Sequence, residues 1–290
     1  MFWLRPGLLI LVLILLVPFD STAQMERKRA NPGAPIDDIF WAPTIIATSS
    51  VTNIPSGNLN VTIHHVFGRV SSGVEALWGL DDAANIRFGF DYGVTDWLSL
   101  GVGRSRFDKV YDFRFKASVL RQSRDGKMPV SLSIGADAGI NTVENGFDLI
   151  DRLNYFSTVM VARKFSKRIS LQAAPMYAHF NTVVIEYDAE GNRINQENGH
   201  LAIGLVAGYV LSQRYALLVE YIPVIGDRSD GTKNSFSVGL DIDTGGHVFQ
   251  VFFTTSQWMT GQHTIARNTD DFFSGDFRLG FNVNRAFGVN

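Results

Sequence analysis

Two adjacent histidines, His64 and His65, have the widest chemical range of any pair in the chain, because an imidazole serves equally as metal ligand and as base. Their spacing argues against a shared ion. They fall in a stretch that alternates apolar and polar residues, and successive side chains of a strand point to opposite faces. His64 is therefore expected on an inner face and His65 on an outer one, in structural roles. Two acidic pairs, Asp81–Asp82 and Asp270–Asp271, fall in predicted loops, where carboxylates can bind calcium or bridge lipopolysaccharide through divalent ions. With His263, the acids Asp82 and Asp271 could activate water for hydrolysis, although solvated loop acids are the plainer reading. The polar stretch 188–197 lacks calcium-loop spacing and reads as a hairpin tip. The chain has no His-x-Ser, Gly-x-Ser-x-Gly, His-Glu-x-x-His or phosphate-binding glycine loop. No catalytic, cofactor-binding or metal residue is assigned, no cofactor is expected, and the reading is non-enzymatic.

The elements that must carry these residues are strands. Phe88, Phe90 and Tyr92 alternate with Arg87, Gly89 and Asp91, and Tyr111, Phe113 and Phe115 alternate with Asp112, Arg114 and Lys116. The same period of two predicts strands at about 58–70, 85–93, 97–104, 109–120, 129–140, 152–163, 168–180, 200–211, 214–223, 234–242, 247–257 and 275–287. That is an even number, twelve, as single-chain bacterial barrels require. The connections sort by parity as well. Short links fall at 94–96, 121–128, 164–167, 212–213 and 243–246, and long ones at 71–84, 141–151, 181–199, 224–233 and 258–274; only 105–108 breaks the pattern. The fold class expected is all-β, an antiparallel transmembrane β-barrel of about 12 strands.

A charge facing lipid at mid-depth costs about 2–4 kcal/mol in such a wall, so the strand charges belong inside. The expected lumen-lining set is Arg87, Asp91, Asp112, Arg114, Lys116, Asp137, Glu220, Asp241 and Arg278. Gly and Ser fill much of the remaining inner face, which leaves room within the wall. Opposed charges there either line a solute path or pair and close it, and desolvated charges prefer partners.

The first residues indicate export. Arg5 precedes the apolar run 8–17, then Pro18 and the small triplet Ser21, Thr22 and Ala23. This is the pattern of a signal peptide cleaved after Ala23, and the run is too short to cross a hydrocarbon core of about 30 Å. Residues 1–23 are thus signal peptide, 24–57 an N-terminal periplasmic or lumenal segment, and 58–290 the barrel. The 24–57 segment carries no clear period; 44–51 reads as an extra strand, a lumenal plug or a rim element. The absence of cysteine excludes cysteine-linked lipidation, disulfides and thiolate metals, and a formal charge of −2 without a basic block excludes nucleic acid.

The run from His64 to Gly68, then Gly79-Leu80-Asp81, Ile86 to Gly93, Thr95-Asp96-Trp97, Gly101 to Ser105 and Lys116, resembles a family of uncharacterised outer-membrane β-barrels from Bacteroidota. Val66 stands where that family has an arginine. The resemblance covers roughly Ile39 to the end and implies a location and a fold, with no activity. The expected function is a narrow passive pore or a structural barrel of the bacterial outer membrane. The alternative is a surface ligand-binding or adhesin barrel acting through outer loops around Trp78, Trp258 and Phe272–Phe273. A loop-carried hydrolase comes last. The partners expected are outer-membrane lipid and lipopolysaccharide, the barrel-assembly machinery, and small polar solutes.

Overall fold

The computed structural model describes residues 33–184 and 186–289, so the signal-peptide reading lies outside the described residues. Twelve antiparallel strands form the wall. They are β1 (Asn58–Arg69), β2 (Asn85–Thr95), β3 (Leu98–Ser105), β4 (Tyr111–Leu120), β5 (Ser131–Ile140), β6 (Leu153–Lys164), β7 (Ile169–Phe180), β10 (Gly199–Val210), β11 (Tyr215–Ile222), β13 (Ser235–Asp243), β14 (Val248–Thr254) and β15 (Arg278–Gly288). Three short strands complete the count. β8 (Glu186–Tyr187) pairs with β9 (Arg193–Ile194) as a separate hairpin, and β12 (Val224–Ile225) prolongs β11 past Pro223. Each wall strand pairs with its sequence neighbour, and β15 closes the ring on β1 from Asn58↔Gly288 to Arg69↔Arg278. Closure leaves no sheet edge, the condition for a sheet to stand in hydrocarbon.

Alternation decides which side chains meet lipid. Phe88, Phe90, Tyr92, Phe113 and Phe115 are exposed on the outer face, while Arg87 and Asp112 are buried on the inner one. His64 and His65 split as the parity argument requires. His64 is buried inside, and His65 stacks outside on Phe281 with ring centroids 4.9 Å apart. The short links 96–97, 165–168, 211–214 and 244–247 stand at one end, with both described chain ends; the link 106–110 stays short at the other, long-loop end.

The lumen is occupied from both ends. From the short-turn end, the segment before β1 enters beside the turn after β4, where Ile36 N–H donates to the Gln122 carbonyl at 2.7 Å. It reverses between Thr44 and Ser49, where Ile45 N–H donates to Thr48 O at 2.7 Å and Ser50 N–H to Pro43 O at 2.9 Å, then returns to β1. Of the three readings open for 44–51, the structure takes the lumenal one. From the long-loop end, the chain leaves β14 at Thr254 and turns inward as helix α1 (Gly261–Arg267), with Gly261 through Ala266 buried.

The two plugs share an apolar core with one half of the wall. Ile39, Phe40, Ile45, Ile46 and Val51 of the hairpin, and Met259, Ile265 and Ala266 of the outer plug, cluster with inner side chains of β6, β7, β10 and β11, among them Met160, Met176, Val206 and Leu218. Those four strands carry many apolar residues on the inner face as well as the outer one, because the plugs cover the inner face. In the same cluster, Phe252 fills the space beside Gly280, where an added Cβ would overlap the Phe252 ring and lie 2.9 Å from the His65 carbonyl oxygen. Gly280→Val should therefore cost about 1–3 kcal/mol by overpacking. The urea unfolding midpoint in lipid vesicles measures it, and an unchanged midpoint would remove Phe252 from that position.

Candidate functional site

The inner charges meet the plugs in one polar cluster on β2 to β5. Arg87 on β2 and Asp112 on β4 form a bidentate pair, Nε to Oδ2 at 2.9 Å and Nη2 to Oδ1 at 2.5 Å, with both side chains about 1% exposed. Arg114 Nη2 donates to Asp91 at 2.8 Å, and its Nε lies 3.5 Å from Asp112. These side chains lie flat against the wall. An added Cβ at Gly89 would sit 2.9 Å from a guanidinium nitrogen of both Arg87 and Arg114, and one at Gly103 would sit 2.8 Å from Asp112. The room that the sequence reading gave to the inner glycines is thus taken, at Gly89 and Gly103, by the charged groups themselves. Asp137 borders two cavities of about 30 Å³ each, lined also by Arg114, Phe156 and, in one or the other, His64 or Thr158. His64 Nε2 and Thr158 Oγ1 are buried without a hydrogen-bond partner, so these cells suit single waters.

The hairpin that lies against this cluster is held by its backbone. Lys116 has three ammonium protons and reaches three carbonyls, Thr52 at 2.6 Å, Ser50 at 3.3 Å and Pro43 at 3.4 Å. Glu220 on β11 accepts from Ala47 N–H at 2.8 Å, from Thr48 N–H at 3.1 Å, and from the Thr48 hydroxyl. Gln172 on β7 accepts from Val51 N–H and donates to Ser49 O, both at 2.9 Å. Gln250 donates to Thr44 O at 3.2 Å and to Asp241 at 3.0 Å, and Asn282 donates to Ile46 O at 3.1 Å. An irregular segment buried in a lumen has no ladder to satisfy its amides and carbonyls; here the wall supplies the partners.

The candidate charges therefore divide. Arg87, Asp91, Asp112 and Arg114 pair among themselves, Asp137 stands beside them, and Lys116 and Glu220 hold the hairpin. Asp241 lies behind Gln250. Arg278 stands apart near the long-loop end, where its Nε donates to Asp270 at 2.9 Å and Arg69 pairs with the same carboxylate. The uncharged anchors Gln172, Gln250 and Asn282 escaped the sequence reading, although each is an amide at an inward strand position.

The outer plug is equally engaged. Gln262 donates to Asn154 at 2.9 Å, and His263 bonds Thr260 at 2.7 Å while stacking on Trp258 at 5.2 Å. Arg267 pairs with Asp108 at 2.5 Å and lies over the rings of Phe180 and Trp258. Trp258 is thus turned into the barrel and is no loop tip, whereas Trp78 and Phe273 are exposed. The hydrolytic grouping of Asp82, Asp271 and His263 is not assembled. His263 is buried in the outer plug, Asp82 accepts from Ser72 at 2.7 Å, and Asp271 caps its own turn at Phe273 N–H. Among the described residues, no group of three or more His, Cys, Asp or Glu is placed to hold a metal.

Breaking the buried pair should be costly because it strands one charge. Asp112→Asn is expected to destabilise the barrel by about 3–5 kcal/mol, and Arg87→Leu with Asp112→Leu to recover most of that. A double-mutant cycle on unfolding in vesicles measures the coupling. Additive losses would show that the two side chains do not act as a pair.

Among solved structures, the chain is similar to the NanC porin, with a TM-score of 0.48 and 8% identity over 79% of this chain and 98% of the other. It is also similar to the KdgM porin, with a TM-score of 0.46 and 11% identity over 79% and 99%. An outer membrane channel from Pseudomonas putida F1 gives a TM-score of 0.49 and 14% identity over 81% and 97%. At these values nothing about activity follows. The search of curated proteins found no match. Residues 40–287, which include most of the hairpin and all twelve wall strands but for the last residue of β15, match the family described as "Membrane bound beta barrel domain (DUF5777)", and the chain belongs to that family.

Proposed function

We propose that this chain is a bacterial outer-membrane barrel, of the Bacteroidota type its sequence resembles, held shut by its N-terminal hairpin, with passage of small polar solutes limited to states in which the hairpin has moved. In this conformation it acts as a structural barrel. The observation that carries the reading is the backbone clamp: Lys116, Gln172, Glu220, Gln250 and Asn282, from five different strands, satisfy amides and carbonyls between Pro43 and Thr52. A resting open pore would exchange the whole set for bonds to water, at about 0.5–1.5 kcal/mol net for each, and would expose the hairpin's apolar side chains as well. The short-turn end, where the hairpin enters, is the periplasmic one in this reading. Lipid surrounds the aromatic outer face, lipopolysaccharide meets the long loops, and the barrel-assembly machinery inserts the chain. The function is non-enzymatic, in keeping with the engagement of His263, Asp82 and Asp271 elsewhere.

Planar-bilayer conductance tests this reading, and the chain's lack of cysteine makes a designed disulfide unambiguous. Pro35 and Ser123 are bridge partners, and such pairs lie roughly 4.5–5.5 Å apart at Cα, within disulfide reach. Wild type and the oxidised Pro35→Cys/Ser123→Cys protein should carry little steady current. Deleting 35–54, or combining Lys116→Met with Glu220→Gln, should produce discrete channels. Equal, large currents from the locked and deleted forms would refute the closed state.

A further inference from the structure

Above the outer plug, the long loops enclose a cavity of about 340 Å³ that the hairpin clamp does not touch. Its floor is the C-terminal end of α1, at Ala266 and Arg267, and its wall is Phe180 and His200. Its roof comes from two loops stapled to each other. Asp230 N–H donates to Asn195 O and Asn195 N–H to the Asp230 carboxylate, both at 2.9 Å, while Glu197 N–H donates to Ser229 Oγ at 3.0 Å. The volume falls in the range of small-molecule sites, roughly 300–1,000 Å³.

Three of its lining residues present unused acceptors. His200 is 1% exposed, and its Nε2 lies 3.1 Å from the Glu197 carbonyl oxygen. A carbonyl only accepts, so Nε2 carries the proton and, in the neutral ring, Nδ1 presents a lone pair. That Nδ1 is buried and has no partner. Glu197 and Asp230 each have one carboxylate oxygen bound to Asn195, by its Nδ2 and its N–H respectively. The cationic group at the site, Arg267, is neutralised by Asp108. The rest of the lining is mixed: Phe180, Val183, Val184, Ile194 and Ala266 supply apolar surface, and Gln196, Thr232 and Thr269 neutral polar groups.

We propose that this vestibule is a binding site for a small organic cation, an ammonium group on an aryl or branched alkyl body. The ammonium donates to His200 Nδ1 and to the free oxygens of Glu197 and Asp230, and the apolar body packs on Phe180 and Ile194. This site stands independently of whether the barrel opens, because none of its residues clamps the hairpin.

The probe is benzylammonium, titrated into the full chain in phosphatidylcholine nanodiscs, with benzyl alcohol and benzoate as neutral and anionic counterparts and empty nanodiscs as blank. Calorimetry should show saturable binding of the amine, with the two counterparts at least tenfold weaker, and nitrogen NMR should move the His200 Nδ1 signal. Glu197→Gln with Asp230→Asn should weaken the amine at least tenfold, and His200→Phe should abolish the response. Should His200→Phe fail to assemble, Ile194→Trp fills the cavity from a loop and should block binding. Equal uptake of all three probes, or an amine affinity unchanged by the carboxamide double variant or by Ile194→Trp, would overturn the proposal.

Discussion

Closing a sheet in lipid leaves charged side chains only one direction, inward, and much of what this molecule does with its interior follows from that constraint. The ladder from β1 round to β15 satisfies the backbone, and alternation then delivers Arg87, Asp91, Asp112, Arg114, Lys116 and Asp137 to one side of the lumen. A buried charge needs a partner more than it needs space. Pairing across β2 and β4 follows, in the shallow room that Gly89 and Gly103 leave.

The other half of the lumen poses the opposite problem. Met160, Met176, Val206 and Leu218 would face water in an open channel, and burying each large apolar side chain is worth about 1.5–3 kcal/mol. The hairpin's Ile45, Ile46 and Val51 cover that surface, yet they bring with them a stretch of backbone that has no ladder. Covering the apolar half therefore creates a polar demand, and Lys116, Gln172, Glu220, Gln250 and Asn282 meet it. The charged half and the apolar half are two consequences of a single filled lumen.

The wall was legible in the sequence because a period of two over ten residues is a strong signal, as in Phe88–Phe90–Tyr92 against Arg87–Gly89–Asp91. The interior was less so. Gly89 read as room inside the wall because a glycine's neighbours are not written beside it; the arginines that lie over it come from its own strand and from across the sheet. The hairpin at 43–52 carries no period, since it is held by distant side chains acting on its backbone, and those contacts leave no trace in its own residue types. Helix α1, Gly261–Arg267, is too short to show a helical period, so Trp258 read as an exposed tip. The middle of β6 is apolar on both faces, with Met160 and Ala162 turned in and Val159 and Val161 turned out, a pattern that suits an inner face covered by protein better than one facing water.

Holding a plug by its backbone has a consequence for how specificity is divided. Side chains that grip backbone carbonyls and amides impose few demands on which residues carry them, so most of the clamp sets where the hairpin lies without dictating its composition; the Thr48 hydroxyl on Glu220 is the exception. Its seating depends instead on Ile39, Phe40, Ile45, Ile46 and Val51 filling the apolar half, and on the loops that meet it from the far end. The reversal at Thr44–Ser49 and the start of the outer plug at Met259–Gly261 line the same cavity beside Asp137. The hairpin and the outer plug therefore close on the charged cluster from opposite ends. A shift of either plug would alter the surroundings of Asp137 and of the Arg87–Asp112 pair before it reached the membrane-facing wall.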